Sequence, residues 1–209
     1  MNISVSRIHF PVTTLGPGKR IGIWFQGCSL RCKGCLSPDT WQVKDSHFTV
    51  AQLIDQVQEW LPFADGITIS GGEPFEQPDA LLTLLREIKQ RFKGNILVYS
   101  GYEWGVIEDS VAQMSPYIDA LISEPFNVEI PQTLMLRGSD NQRLHLLTPL
   151  GKSLFKQYQR VVTPEDKKLD LAFDDQGRLF LAGIPERGDM QRLSQLLALQ
   201  DNTLKQLKK

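Results

Sequence analysis

Cysteine is scarce in this chain of 209 residues: there are three, all within eight consecutive positions. An odd number so confined excludes a complete disulfide framework and points to metal binding or redox chemistry in a reducing compartment. An excess of one charge is also missing. Lys and Arg number 23 against 24 Asp and Glu, so no bulk positive field indicates nucleic acid or an anionic membrane. No apolar run approaches the ~20 residues of a bilayer-spanning helix. The first ten residues, MNISVSRIHF, lack the apolar centre of a secretion signal. The expectation is a cytoplasmic protein with no membrane association. Internal repeats and low-complexity tracts are absent as well, which excludes solenoid and array architectures.

What is present is a steady rhythm of short β-branched runs and longer helical stripes. Residues 21–25 read as a buried strand entering the cysteine loop. Thr49 opens a helix with Gln52 completing a capping box and Leu53, Ile54, Val57 and Leu61 on its apolar face. Residues 66–70 form a strand that ends at Gly71-Gly72. Pro78 opens a second helix striped by Leu81, Leu82, Leu85 and Ile88, with Gly94 marking its end. A strand over 95–99, a helix over 103–114 and a strand over 118–122 continue the alternation. Strands alternating with helices imply parallel pairing through right-handed crossovers, with chemistry gathered where strand C-termini open. The expected fold is α/β, an incomplete βα barrel of parallel strands over residues 1–160. A C-terminal β-hairpin and helix, residues 161–209, form an appendage packed on it. In that appendage 169–173 and 178–182 flank the turn 174–177. The stripe Met190, Leu193, Leu197, Leu204, Leu207 marks the closing helix, with Lys205, Lys208 and Lys209 at its C-terminal end.

The cysteines are spaced C-x3-C-x2-C as Cys28, Cys32 and Cys35. Three thiolates on one short loop suit a cubane iron–sulfur cluster. Three protein ligands for four irons leave one iron open to chelate a substrate or cofactor. A zinc site completed by His47, twelve residues beyond Cys35, is the alternative, although zinc ligands usually come as two matched pairs and no second pair exists here.

With these residues the chain resembles the radical S-adenosylmethionine superfamily, and within it the family of anaerobic ribonucleotide reductase activators and glycyl-radical-enzyme activases. The resemblance rests on residues 27–41 (GCSLRCKGCLSPDTW), 70–78 (SGGEPFEQP), 98–102 (VYSGY), 119–126 and 137–142 (RGSDNQ), in order over roughly 16–147. Ser37 stands where the activators commonly have Asn, Ser123-Glu124 where an Asp-Gly pair is usual, and Gly34 where many superfamily members carry an aromatic.

The resemblance implies a [4Fe–4S] cluster on Cys28, Cys32 and Cys35, with S-adenosylmethionine on its open iron. Reductive cleavage of that cofactor would yield a 5′-deoxyadenosyl radical. It further implies cofactor-binding roles for Gly34, Gly71, Gly72, Glu73, Pro74, Ser100, Gly101 and Arg137. The glycine pair would admit the cofactor's methionine end, Pro74 would fix the turn, and Glu73 would accept from its ammonium. Each assignment has a plainer counterpart. GGEP alone is an ordinary strand-to-helix loop, Ser100-Gly101 a simple turn, and residues 137–142 a structural turn held by Ser139 and Asn141. Tyr102 and Trp104 could stack on the cofactor or cover the core. No catalytic side chain beyond cluster and cofactor is implied. The expected substrate is a larger protein, a glycyl-radical enzyme such as an anaerobic ribonucleotide reductase, with an external electron donor of the flavodoxin or ferredoxin type. The alternatives are a radical enzyme acting on a peptide or small molecule, with the hairpin as lid, and a non-catalytic iron–sulfur subunit.

Overall fold

The computed structural model describes residues 1–44, 48–166, 169–173 and 179–199. Two short strands at the start, β1 (Asn2–Ile3) and β4 (Phe48–Thr49), pair with each other. The main sheet has six strands in the order β2 (Val5–Val12), β3 (Arg20–Phe25), β5 (Gly66–Gly71), β6 (Asn95–Tyr99), β7 (Ala120–Ser123) and β8 (Arg143–Leu146). The four central strands are parallel. The two edges are antiparallel, which the alternating rhythm does not foretell. Residues 13–19 are too short a link between β2 and β3 for a crossover, so they make a hairpin. Residues 124–142 leave and re-enter the sheet at the same edge, so β8 returns beside β7 in the opposite sense. The architecture is therefore a mixed α/β sheet.

The helices α1 (Val50–Val57), α2 (Pro78–Arg91) and α3 (Trp104–Met114) supply the crossovers. Thr49 and Gln52 exchange both bonds of a capping box at the start of α1, satisfying two donors that the first turn leaves open. Leu61 falls beyond α1, in a 3-10 turn over Leu61–Phe63. On α2 the fully buried stripe is Leu81, Leu84, Leu85 and Ile88, with Leu82 only partly buried. The expected stripe is thus turned slightly, toward a wider apolar face.

One face of the sheet, Ile21, Ile23 and Phe25 on β3 with Ile67, Ile69, Ile96, Val98 and Leu121, packs under these helices as one continuous core. The other face carries Trp24, Leu97, Tyr99, Ala120 and Ile122. It is covered by α4 (Pro149–Phe155) through Phe155, and by the hairpin of β9 (Leu169–Phe173) and β10 (Leu179–Gly183) through Phe180 and Ala182. Phe180 stacks on His9 and meets Trp24 edge-on. Asp170 fastens the hairpin to the 13–19 link by accepting from the N–H and hydroxyl of both Thr13 and Thr14. The closing helix α5 (Asp189–Ala198) holds Met190, Leu193 and Leu197 of the expected stripe half-buried, and none of its residues is fully buried. Leu204, Leu207 and the lysines beyond, the hairpin turn and His47 lie outside the described residues. No described helix is long and apolar enough to cross a membrane.

A cysteine loop at the C-terminal edge of the sheet

β3 is buried along its whole length and delivers the chain to Gly27 and Cys28 at the edge where β5 and β6 also end. Gly27 N–H donates to Thr40 O (2.7 Å) and Cys28 N–H to Trp41 O (3.1 Å), so the loop between them is closed at its neck by two backbone bonds. Gln26 reinforces the neck by donating to Gln42 O. Ser37, the residue that departs from the family pattern, accepts from Arg7, which also pairs with Asp39.

The glycine pair docks on this neck. Gly72 N–H donates to Phe25 O and Glu73 N–H to Gly27 O, both at 2.8 Å. A side chain on Gly72 would stand 2.1 Å from Gly27 O, and Gly71 has φ +101 with the β3 backbone 2.7 Å from where its Cβ would lie. Both positions therefore require glycine, Gly71 because it lies against β3 and Gly72 because it lies against the neck of the cysteine loop. Pro74 opens a 3-10 turn whose cap is Glu73.

Glu73 is 1% exposed. Its carboxylate accepts from Phe75 N–H (3.0 Å), Ser100 Oγ (2.9 Å) and Gly101 N–H (2.7 Å). Burial pushes its carboxyl up to about 7 against those three donors, with the charge of Glu76 adding to the rise. Two donors fall on Oε1 and one on Oε2, which leaves acceptor capacity on Oε2. The structure thus brings Glu73, Ser100 and Gly101 into one hydrogen-bonded group. Leu30 of the cysteine loop packs on Gly101, where a side chain would meet it at 2.6 Å.

Glu76 is a residue of the site that sequence reasoning missed. It accepts from Ser29 N–H (2.7 Å), Ser29 Oγ (2.6 Å) and Tyr102 Oη (3.3 Å), pinning the cysteine loop from the β5 side. Its place three residues after Glu73 inside the SGGEPFEQP segment was the available signal. Trp104 stacks on His145 at 4.0 Å. His145 Nε2 lies 2.8 Å from the fully buried Ser123 Oγ, which donates to Glu124, so the second departure from the family pattern builds a self-contained polar cluster. Arg137 is nearly buried, donates to Met135 O (3.3 Å), and its Nε has no partner. It lines a cavity of about 40 Å³ with Thr14, Gln132 and Ile184, none of which belongs to the cysteine loop.

All three cysteines are free thiols of intermediate exposure. Burial pushes the Cys28 and Cys32 thiols up, beyond what nearby backbone N–H groups offset. Among the described residues no three His, Cys, Asp or Glu side chains already stand in a metal-binding geometry. The donor set nevertheless fits a cluster: three soft thiolate ligands on one loop, with neither a fourth Cys nor a paired knuckle.

The comparisons with known proteins agree with this donor set. The 4Fe-4S single cluster domain family matches residues 14–145. The chain is 30% identical over 149 residues to the anaerobic ribonucleoside-triphosphate reductase-activating protein of Vibrio cholerae, covering 67% of this chain and 96% of that one. It is 32% identical over 149 residues to the Escherichia coli K12 protein of the same description, covering 66% and 96%. Against the pyruvate formate-lyase-activating enzyme of Clostridium pasteurianum it is 35% identical over 99 residues, covering 45% of this chain and 42% of the enzyme. Its cofactors are an iron–sulfur cluster and S-adenosylmethionine. With three thiols on a loop seated by a glycine pair, and with these relatives, the chain belongs to the 4Fe–4S single cluster family of radical S-adenosylmethionine activating enzymes.

Proposed function

We propose that this chain activates a separate, larger enzyme of the glycyl-radical class, with an anaerobic ribonucleotide reductase as the first candidate. The observation that carries the reading is the docking of Gly72 and Glu73 onto the end of β3 and the neck of the cysteine loop through two backbone bonds. When bound, cluster and cofactor together supply reductive cleavage of a carbon–sulfur bond and a carbon radical able to abstract hydrogen. The chain's own residues hold and shield that chemistry. Cys28, Cys32 and Cys35 would ligate three irons, and Gly71 and Gly72, lacking side chains, let their segment lie close against β3 and the neck of the loop that carries those thiols. Glu73, fixed by Ser100 and Gly101, offers its remaining acceptor to a cofactor ammonium. Leu30 covers Gly101 and limits water there. Arg137 stands apart from this group and belongs to the reading only as a residue that a bound carboxylate could recruit.

Three further expectations belong to this proposal. They are curvature of the sheet into an incomplete barrel, an electron donor of flavodoxin or ferredoxin type, and a cytoplasmic setting. Exposed Arg31, Lys33 and Lys44 around the cysteine loop suit an acidic donor.

The test is anaerobic reconstitution with iron and sulfide, followed by reduction in the presence of S-adenosylmethionine. Slow 5′-deoxyadenosine formation alone, and formation coupled to one protein radical when the partner is added, are expected. Fast, stoichiometric coupling to a small molecule without any partner would overturn the activase reading.

A further inference from the structure

Residues 124–128 run from the end of β7 across the cysteine loop, and the chemistry above assigns them no task. The crossing is in van der Waals contact. A side chain on Gly34 would meet the Phe126 ring at 3.5 Å and Val128 at 3.4 Å, and one on Gly138 would meet the same ring at 3.0 Å. Phe126 is therefore seated between two glycines, one in the cysteine loop and one in the 137–142 turn. The Phe126 N–H lies on the Cys32 side of the strap and opposes the rise that burial gives that thiol.

The turn over 137–142 grips this strap from behind with three side chains. Gln142 Nε2 donates to Glu124 O (3.1 Å) while its Oε1 accepts from Gly138 N–H (2.8 Å). Asn141 Nδ2 donates to Pro125 O (2.8 Å). Ser139 Oγ, fully buried, accepts from Asn127 N–H (3.0 Å). Backbone groups on either side of Phe126 are thus tied to one turn, which leaves the residue between them facing the cysteine loop. Hydrogen bonds to cluster sulfurs, together with exclusion of water, set the potential of an iron–sulfur centre.

We propose that Gln142, Asn141 and Ser139 are positioning residues for the cluster, fixing the strap so that Phe126 packs beside Gly34 and turns its N–H toward Cys32. The inference rests on the reading of Cys32 as a cluster ligand. An N–H directed at a ligand sulfur favours the more negative, reduced state, so losing it moves the potential downward.

The experiment uses the full chain in the variants Gln142→Met and Asn141→Ala, with Phe126→Leu as a third that keeps the N–H. Three quantities are read: iron content after reconstitution, midpoint potential by redox titration, and the alkylation rate of Cys32 in the metal-free protein. The first two variants should retain iron and shift the potential negative, and they should raise Cys32 alkylation roughly tenfold as the loosened strap uncovers the thiol, the factor for losing about one of the hydrogen bonds that hold the strap, while Cys28 alkylation stays constant. Phe126→Leu should keep a potential near that of the wild type. Should Gln142→Met fail to fold, Asn141→Ala reads the same strap. An unchanged potential and unchanged Cys32 reactivity in the strap variants, with the wild-type cluster intact, would overturn the inference alone. A wild-type chain that takes up no iron would overturn the cluster reading and the inference with it.

Discussion

Arg20 and Glu73 stand at opposite ends of the same parallel strands, and both are buried without an ion pair among the described residues. At the N-terminal edge Arg20 donates to Thr68 Oγ1 (2.6 Å), Asn95 Oδ1 (2.6 Å), Ile67 O (2.7 Å) and Pro17 O (3.1 Å). Burial lowers its pKa to about 10, so it remains charged at neutral pH. At the C-terminal edge burial lifts Glu73 to about 7, which leaves its charge conditional on what binds nearby. One edge is a sealed joint that holds strands together. The other keeps a polar group near its titration point beside a loop of free thiols, which suits a site completed by its cofactors.

That contrast can be broken at either end. The largest effect is expected from Cys32→Ser: iron retention and 5′-deoxyadenosine formation should fall to background. The metal-free protein should keep its stability to within about 0.5 kcal/mol, because the thiol is only half-buried and serine is nearly its size. Loss of stability comparable to loss of iron would make the two edges alike. Next is Arg20→Ala, which strands the acceptors of Thr68 and Asn95 and leaves a large void. Chemical denaturation should show a cost of about 3–5 kcal/mol, with iron uptake per folded molecule unchanged.

The smallest of the three is a pH effect. Glu73 has its folded pKa raised to about 7 from 4.5, so the native state holds this proton more tightly than the unfolded state does. Its stabilising share is complete below about pH 4.5 and is lost as pH rises to about 7, a fall of roughly 3 kcal/mol. Glu73→Gln should flatten that slope in denaturation curves of the metal-free protein. An equal slope in both would place the titration elsewhere.

Much of the central fold is legible locally. The β-branched runs of β3, β5 and β6, the capping box at Thr49 and the stripe of α2 each declare themselves within one window of sequence. Strand β2 does not, because most of its residues are half-buried and alternate only weakly. Helix α4 is short and carries Gly151 and Ser153, so its packing through Phe155 is set by the sheet rather than by propensity. In the site, the cysteine spacing was legible. The Glu76–Ser29 anchor and the Phe126 strap were not, since each joins segments separated by 47 residues or more along the chain or by a whole crossover.

By itself the sequence determined the donor set, the glycine pair, the alternation of strands and helices from β3 to β7, and the cap at Thr49, all of which depend on neighbours within a few residues. Only the tertiary structure decided that Ser100 and Gly101 grip Glu73, that Glu76 pins Ser29, that the 137–142 turn holds the strap over Gly34, and that Arg20 lies sealed at the far edge. Those outcomes follow from which strands lie side by side. A buried polar group must find its partner among whatever segments the sheet brings within about 3 Å, and no local pattern records that choice.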